Sequence, residues 1–316
     1  MPLDLLVPDL LPAADAPPAA RSTRLAFAEK WLARADIARH PARSAAAWLF
    51  DAFGVEASAA AAVSRLADAG AAEGTWMRAD PVHLLVQGDA LRLRDASVLD
   101  VRIDEARALA AALQAHFAGD GLEFHAAAPD RWYVKLVSRE VPRTTPLDDA
   151  AGRNVFGLLP DEPWWRSAMT EAQMILSGHE VNARREEEGR LAVNSVWFWG
   201  GGALPSPARK PYALVCARDP LARGLAMLSG AHVQDIPAGI AGVDVAREDE
   251  DVLVAITGVP RETIDAEWFG GIGAAIERFD RVRAILPSTT DTKIATFTAA
   301  ARRRWFRSAK PLTAYA

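Results

Sequence analysis

With 316 residues, half of them hydrophobic, the chain can bury a sizeable core, and its composition excludes a disordered chain. A net charge of -5 excludes the basic footprint of a nucleic-acid binder, and no apolar run approaches the roughly 20 residues that cross a bilayer. The single cysteine, Cys216, rules out an internal disulfide and a thiolate zinc cluster, fits a reducing cytoplasm, and goes with a start that lacks the basic region of a signal peptide.

Leu3 to Val7 reads as a short strand and Pro8 to Pro18 as a rigid loop. Ser22 is the expected cap of a helix with an apolar face of Leu25, Ala28, Leu32 and Ala35. A second helix is expected from about Ser44 to Gly54, burying Trp48, Leu49 and Phe53, and a third from about Ser58 to Ala69. From Trp76 the pattern changes. His83 to Arg94 predicts a hairpin turning at Gly88-Asp89, and Asp104 is the expected cap of a helix running to Phe117. Two further strands, at Glu123 to His125 and Trp132 to Leu136, complete a compact ββαββ-like block. Residues 74–145 are therefore expected to form an inserted α+β subdomain, with 1–73 and 146–316 forming the core.

Met169, Gln173 and Leu176 predict a helix that stops at Gly178. Polar residues then crowd together before an apolar run, Val193 to Trp199, which ends in Gly200-Gly201-Gly202. That order suggests a pocket, and His179, Asn182, Arg185, Asn194, Gly200 and Gly201 are its candidate ligand-binding residues. Arg185 offers a planar fork for phosphate or carboxylate, or else pairs with one of Glu186 to Glu188. His179 contacts an anion or satisfies helix-end groups, and Asn182 and Asn194 serve a ligand or fix the local backbone. The glycines admit a ligand or a neighbouring backbone.

The remainder alternates strand and helix: Ala213 to Ala217, a helix capped by Asp219 with Pro220 first in it, Val252 to Thr257, a helix through Ile276 and Phe279, and Ala284 to Leu286. This pattern predicts a mostly parallel sheet flanked by helices. Ligands of such sheets sit at the carboxyl ends of strands, where Gly200 to Gly202 and Ser288 to Asp291 are expected.

The spacing of His179, Asn182, Arg185, Gly189, Arg190 and Asn194 before the glycine turn resembles a block of the archaeal-type cofactor-independent phosphoglycerate mutases, of the alkaline phosphatase superfamily. "WMRADPVHL" and "PDRWYVKL" are similar to that family's inserted subdomain, and "IGAAIERFDRV" followed by "RAIL" to a late helix–strand unit. Over most of its length the chain resembles the bacterial RpfE-like family (regulator of pathogenicity factors E), through "RADPVHL", "RWY", "TPL" and the Asn194 to Gly202 segment. The mutase resemblance implies an alkaline phosphatase-like core and two divalent metals such as manganese or zinc, which activate a Ser or Thr nucleophile. Asp9 or Asp15, Asp265 and Asp291 stand nearest the expected ligands, yet no histidine follows His232. Mixed imidazole and carboxylate sets suit such metals best. The expectation is a degenerate, metal-free, regulatory protein that binds a small phosphorylated or carboxylate ligand or a protein partner, with no nucleic acid and no membrane. The alternatives are an active phosphomutase or phosphatase with a rearranged metal site, and an interaction module using tryptophan patches around Trp164, Trp165, Trp197 and Trp199. The Arg302 to Arg307 run, which combines cations and aromatics, meets an anionic partner or is simply a charged surface.

Overall fold

The computed structural model describes residues 2–8, 10–12, 21–56, 59–206, 209–244, 251–288 and 290–315. The chain divides into two compact units, one of Met1–Val55 with Ser206–Ala316 and one of Glu56–Pro205.

The first unit opens with β1 (Pro2–Leu6), whose Leu3 to Leu6 are buried. Helix α1 (Ala26–Arg34) begins later than Ser22 predicted, and no side chain at its N-cap position bonds its amides. The cap comes from far along the chain instead: the Asp265 carboxylate accepts from Ala28 N–H at 2.7 Å and Phe27 N–H at 3.3 Å. A carboxylate at a helix start satisfies orphan amides and meets the positive end of the helix dipole. The exposed strand β2 (Asp36–Pro41) follows, then α2 (Ala45–Phe53), capped by Ser44 and ended by left-handed Gly54 as expected.

The second unit starts with α3 (Ala60–Ala69) and is built on the long strand β3 (Thr75–Gln87). After β4 (Ala90–Arg94) come α4 (Ile103–Phe117), β5 (Leu122–Ala128), β6 (Arg131–Leu136), α5 (Pro163–Ser177), α6 (Glu180–Glu187) and β7 (Ser195–Ala203). The sheet order is β4-β3-β6-β5, with β7 antiparallel to Thr75–Val82 of β3. The core here joins Leu109, Leu113, Phe117, Trp132, Trp165 and Phe198. The boundary expected at 74–145 lies inside this unit, because α3, α5, α6 and β7 all belong to it. β7, expected at the carboxyl end of the parallel sheet, is an antiparallel strand of this second sheet. Its apolar run marked burial and could not say which sheet buried it.

Two glycines of β7 explain their own presence. Gly200 has φ +65°, and a Cβ there would lie 3.0 Å from Ala60 Cβ on α3. At Gly201 a Cβ would meet Val141 Cγ1 at 2.4 Å and Met77 Cγ at 2.8 Å. The close neighbour is therefore the chain itself. Gly200→Ala is expected to lower stability by about 1–3 kcal/mol, from left-handed strain plus the contact with α3. Denaturant unfolding with an unchanged midpoint would count against this packing argument.

The chain returns to the first unit as β8 (Leu214–Ala217), α7 (Pro220–Ser229), β9 (His232–Gln234), β10 (Val252–Ala255), a π-helical turn at Ile264–Phe269, α8 (Ile272–Arg278), β11 (Arg281–Pro287), β12 (Asp291–Phe297) and α9 (Ala299–Arg303). Asp219 caps α7, accepting from Ala222 N–H at 2.8 Å, with Pro220 first in the helix. The seven-stranded order is β2-β12-β11-β1-β10-β8-β9. Strands β11, β1, β10, β8 and β9 run parallel, and β12 and β2 close one side antiparallel. No helix among the described residues is long and apolar enough to cross a membrane.

Candidate functional site

In the second unit, the polar groups of the 179–194 block are bonded within the fold. His179 caps α6 through Nδ1, which accepts from Val181 N–H at 3.1 Å. Asn182, 1% exposed, donates to Leu176 O at 2.7 Å and Val193 O at 2.9 Å, while its Oδ1 accepts from Val193 N–H at 2.8 Å. Asn194 copies a strand pairing: it accepts from Leu84 N–H at 2.8 Å and donates to Leu84 O at 3.0 Å. Arg185 is fully buried, and its fork reaches Leu191 O at 2.9 Å, Glu105 Oε2 at 2.6 Å and Leu99 O. Its carboxylate partner is thus Glu105 on α4, not one of Glu186 to Glu188. Arg190 shares Glu105. Burial alone would raise the Glu105 pKa, but Arg190, the Arg102 amide and the Arg185 charge outweigh it and hold the carboxyl below its ordinary range. The loop geometry that looked like a pocket is a bonded clasp joining α6 to β7.

A different group converges beside α3, and the sequence reasoning missed it. Arg78 on β3 lies between its cross-strand neighbours Tyr133 on β6 and Trp199 on β7, its guanidinium 5.4 Å and 5.1 Å from their ring centres. Asp80, fully buried, accepts from Arg78 Nε at 3.0 Å, Arg78 Nη2 at 2.7 Å, Trp199 Nε1 at 2.7 Å and Trp132 N–H at 3.1 Å. Burial raises its pKa, against the Arg78 charge and these bonds. Arg65 of α3 lies 5.0 Å from the Trp76 ring centre and 5.8 Å from that of Tyr133, and Lys135 lies 5.9 Å from Trp76. The His125 ring packs 5.5 Å from Trp76. Desolvation, then the charge of Arg65, depress the His125 pKa against the opposing charge of Glu123, with Lys135 adding to the depression. Asp68 is engaged by Arg131 at 2.7 Å and the Tyr133 hydroxyl at 2.6 Å. Neither Arg65 nor Lys135 pairs with a carboxylate among the described residues, and Arg65 Nε has no hydrogen-bond partner. The signal was present as period-two spacing: Trp76, Arg78 and Asp80 share one face of a strand.

In the first unit the expected metal-ligand positions are filled by protein donors. Asp265 caps α1. Asp291 receives the buried Lys293 ammonium and, at 3.3 Å, the Ser288 hydroxyl. Burial opposes ionisation of Asp291, yet Lys293 and Ser288 hold its pKa below the usual range. Ser288 Oγ also donates to Asp291 O at 2.8 Å. Asp4 on β1 is held by Arg283 and by Tyr212 at 2.7 Å. Asp9, Asp15 and Thr289 lie outside the described residues. Among the described residues no three His, Cys, Asp or Glu side chains gather closely enough to hold a metal ion. The residues described do not fit a dinuclear centre, since Asp265 and Asp291 already serve amides and an ammonium. The tryptophans proposed as patches are likewise buried or half-buried: Trp165 is 3% and Trp197 1% exposed, and Trp164 lies under Arg139 at 3.4 Å.

No family model matches the chain. The 2,3-bisphosphoglycerate-independent phosphoglycerate mutase of Methanosarcina barkeri is 28% identical over 168 residues, 50% of this chain and 42% of that protein. The probable enzyme of the same name from Geobacter sulfurreducens is 26% identical over 181 residues, 54% of this chain and 45% of that protein. The matches thus span less than half the length of these curated relatives. Among solved structures, the PH0037 protein from Pyrococcus horikoshii aligns at a TM-score of 0.51 and 12% identity, covering 94% of this chain and 87% of that one. That likeness concerns the mixed α/β fold alone. Remote homology to the archaeal-type cofactor-independent phosphoglycerate mutases is supported by the sequence matches.

Proposed function

We propose that the chain is a degenerate cofactor-independent phosphoglycerate mutase-like protein with an alkaline phosphatase-like core, of the RpfE-like branch that its motifs resemble. It works in the cytoplasm without a metal centre. It binds a small phosphorylated or carboxylate ligand or a protein partner. One observation carries the reading: Asp265 and Asp291, nearest the expected metal positions, are bonded to the α1 amides and to Lys293. The anion-binding role moves from the His179 to Gly201 block to Arg65, Lys135 and His125 around Trp76. Two cations there lack carboxylate partners among the described residues, and depressed basicity keeps the imidazole neutral at physiological pH.

Titration calorimetry with 3-phosphoglycerate is expected to show binding that Arg65→Ala weakens roughly tenfold, the worth of one charged hydrogen bond. Equal affinity of the variant and the native protein would remove the ligand site. In parallel, the purified protein supplied with manganese or zinc is expected to interconvert no phosphoglycerates. Metal-dependent turnover would establish the active-enzyme alternative.

A further inference from the structure

The largest exposed aromatics are not in the tryptophan segments singled out by sequence. Trp305 is 74% and Phe306 69% exposed, with ring centres 6.5 Å apart. They stand on a stretch anchored at both ends by buried Ala301 and Leu312. The neighbouring arginines turn inward. Arg304 donates to Arg34 O at 3.0 Å and grips Asp36 at 2.5 Å, and Arg307 reaches Ala35 O at 3.4 Å. These cations sit on the carbonyl end of α1, where a helix dipole favours positive charge. With 304 and 307 held inward, 305 and 306 are presented outward. This is a built display, and leaving two large rings in water is unfavourable unless something covers them.

The charges around the rings define what that is. Arg302 is neutralised by Glu277 at 2.5 Å and Arg304 by Asp36. No carboxylate among the described residues pairs with Arg303 or Lys310, whereas the Arg307 charge acts on Asp36. Two cations without a carboxylate partner among the described residues, Arg303 and Lys310, thus stand close in sequence to the two exposed rings, on a chain whose net charge is -5. Trp and Arg are the residues that dominate binding energy at protein interfaces, and the guanidinium fork matches a carboxylate. From this complementarity we infer that Trp305 and Phe306, flanked in sequence by Arg303 and Lys310, form a docking surface for a partner protein's acidic, apolar-containing segment. The inference deepens the partner half of the proposed function and does not depend on the ligand half.

The test uses the full chain and a fluorescein-labelled peptide rich in glutamate and leucine, read by anisotropy. The expected result is binding that weakens with salt and is lost when glutamine replaces the glutamates. The double variant W305A/F306A is expected to weaken it roughly tenfold or more. Circular dichroism and the thermal midpoint report whether that variant stays folded. R303E/K310E, which alters only exposed side chains, tests the charged half separately and should weaken binding to a similar degree. No binding of the peptide, or equal affinity for the native chain and both variants, would overturn the inference. So would stronger binding to phosphatidylserine vesicles or to polyuridine, lost in the same variants, because the occupant would then be a lipid surface or an RNA. The 3-phosphoglycerate titration is expected to be unchanged in both variants, which separates failure here from failure of the ligand site.

Discussion

Replacing Arg185 with methionine is expected to destabilise the second unit by about 3–5 kcal/mol, the usual cost of removing one partner from a buried ion pair. Six of the ten tryptophans lie in this unit (Trp76, Trp132, Trp164, Trp165, Trp197 and Trp199), so denaturant unfolding followed by their emission reads it directly. The size of the loss follows from what the fork holds. Leu99 O and Glu105 lie around the start of α4 and Leu191 O before β7, so the variant removes the donor that ties these stretches together and leaves Glu105 only Arg190 and the Arg102 amide. The same network sets an acid limit. Glu105 has a pKa below its unfolded value, so its contribution is complete above the ordinary carboxylate range and disappears as pH falls through the depressed value. The variant, with one cation gone, should lose part of that acid dependence. A change below 1 kcal/mol would mean the clasp is not what holds α6 to the sheet.

A comparable loss, about 3–5 kcal/mol, is expected for Asp80→Asn. The shape is kept, but one oxygen becomes a donor facing donors, and the Arg78 guanidinium between Tyr133 and Trp199 loses its counter-charge. The decisive comparison is a double variant, Arg78→Met with Asp80→Leu. Replacing both members by apolar groups of similar volume leaves no orphaned charge, so part of the lost stability should return, less what the Trp132 and Trp199 N–H groups forfeit with their acceptor. If the double variant is as unstable as the single one, the pair is not the unit of stability described here.

These two residues show where sequence reading ends. Apolar runs announced β1, β8, β10 and β11, and the Asp219-Pro220 pair announced α7, because local chemistry suffices for such elements. The polar strands β2 and β12 gave no comparable signal; their partners, not their composition, make them strands. Arg185 was recognised as a fork suited to a carboxylate, but its partner lies 80 positions earlier, and nothing near it in sequence named Glu105. Asp265 was weighed as a metal ligand for its residue type, whereas its position makes it a helix cap. The Trp76, Arg78 and Asp80 alternation was visible within its motif. Its meaning needed β6 and β7 on either side.

The placement of β1 has a consequence for how the polypeptide matures on the ribosome. Leu3 is flanked by Val252 on one neighbour and Val282 on the other, so the edges of this central strand stay open until those distant residues have been made. At elongation rates of about 5–20 residues per second, that wait lasts on the order of ten seconds or more. The contiguous stretch Glu56–Pro205 can meanwhile collapse on its own, as contacts close in sequence form early. In the nascent chain β1 is therefore the segment most in need of a chaperone's protection.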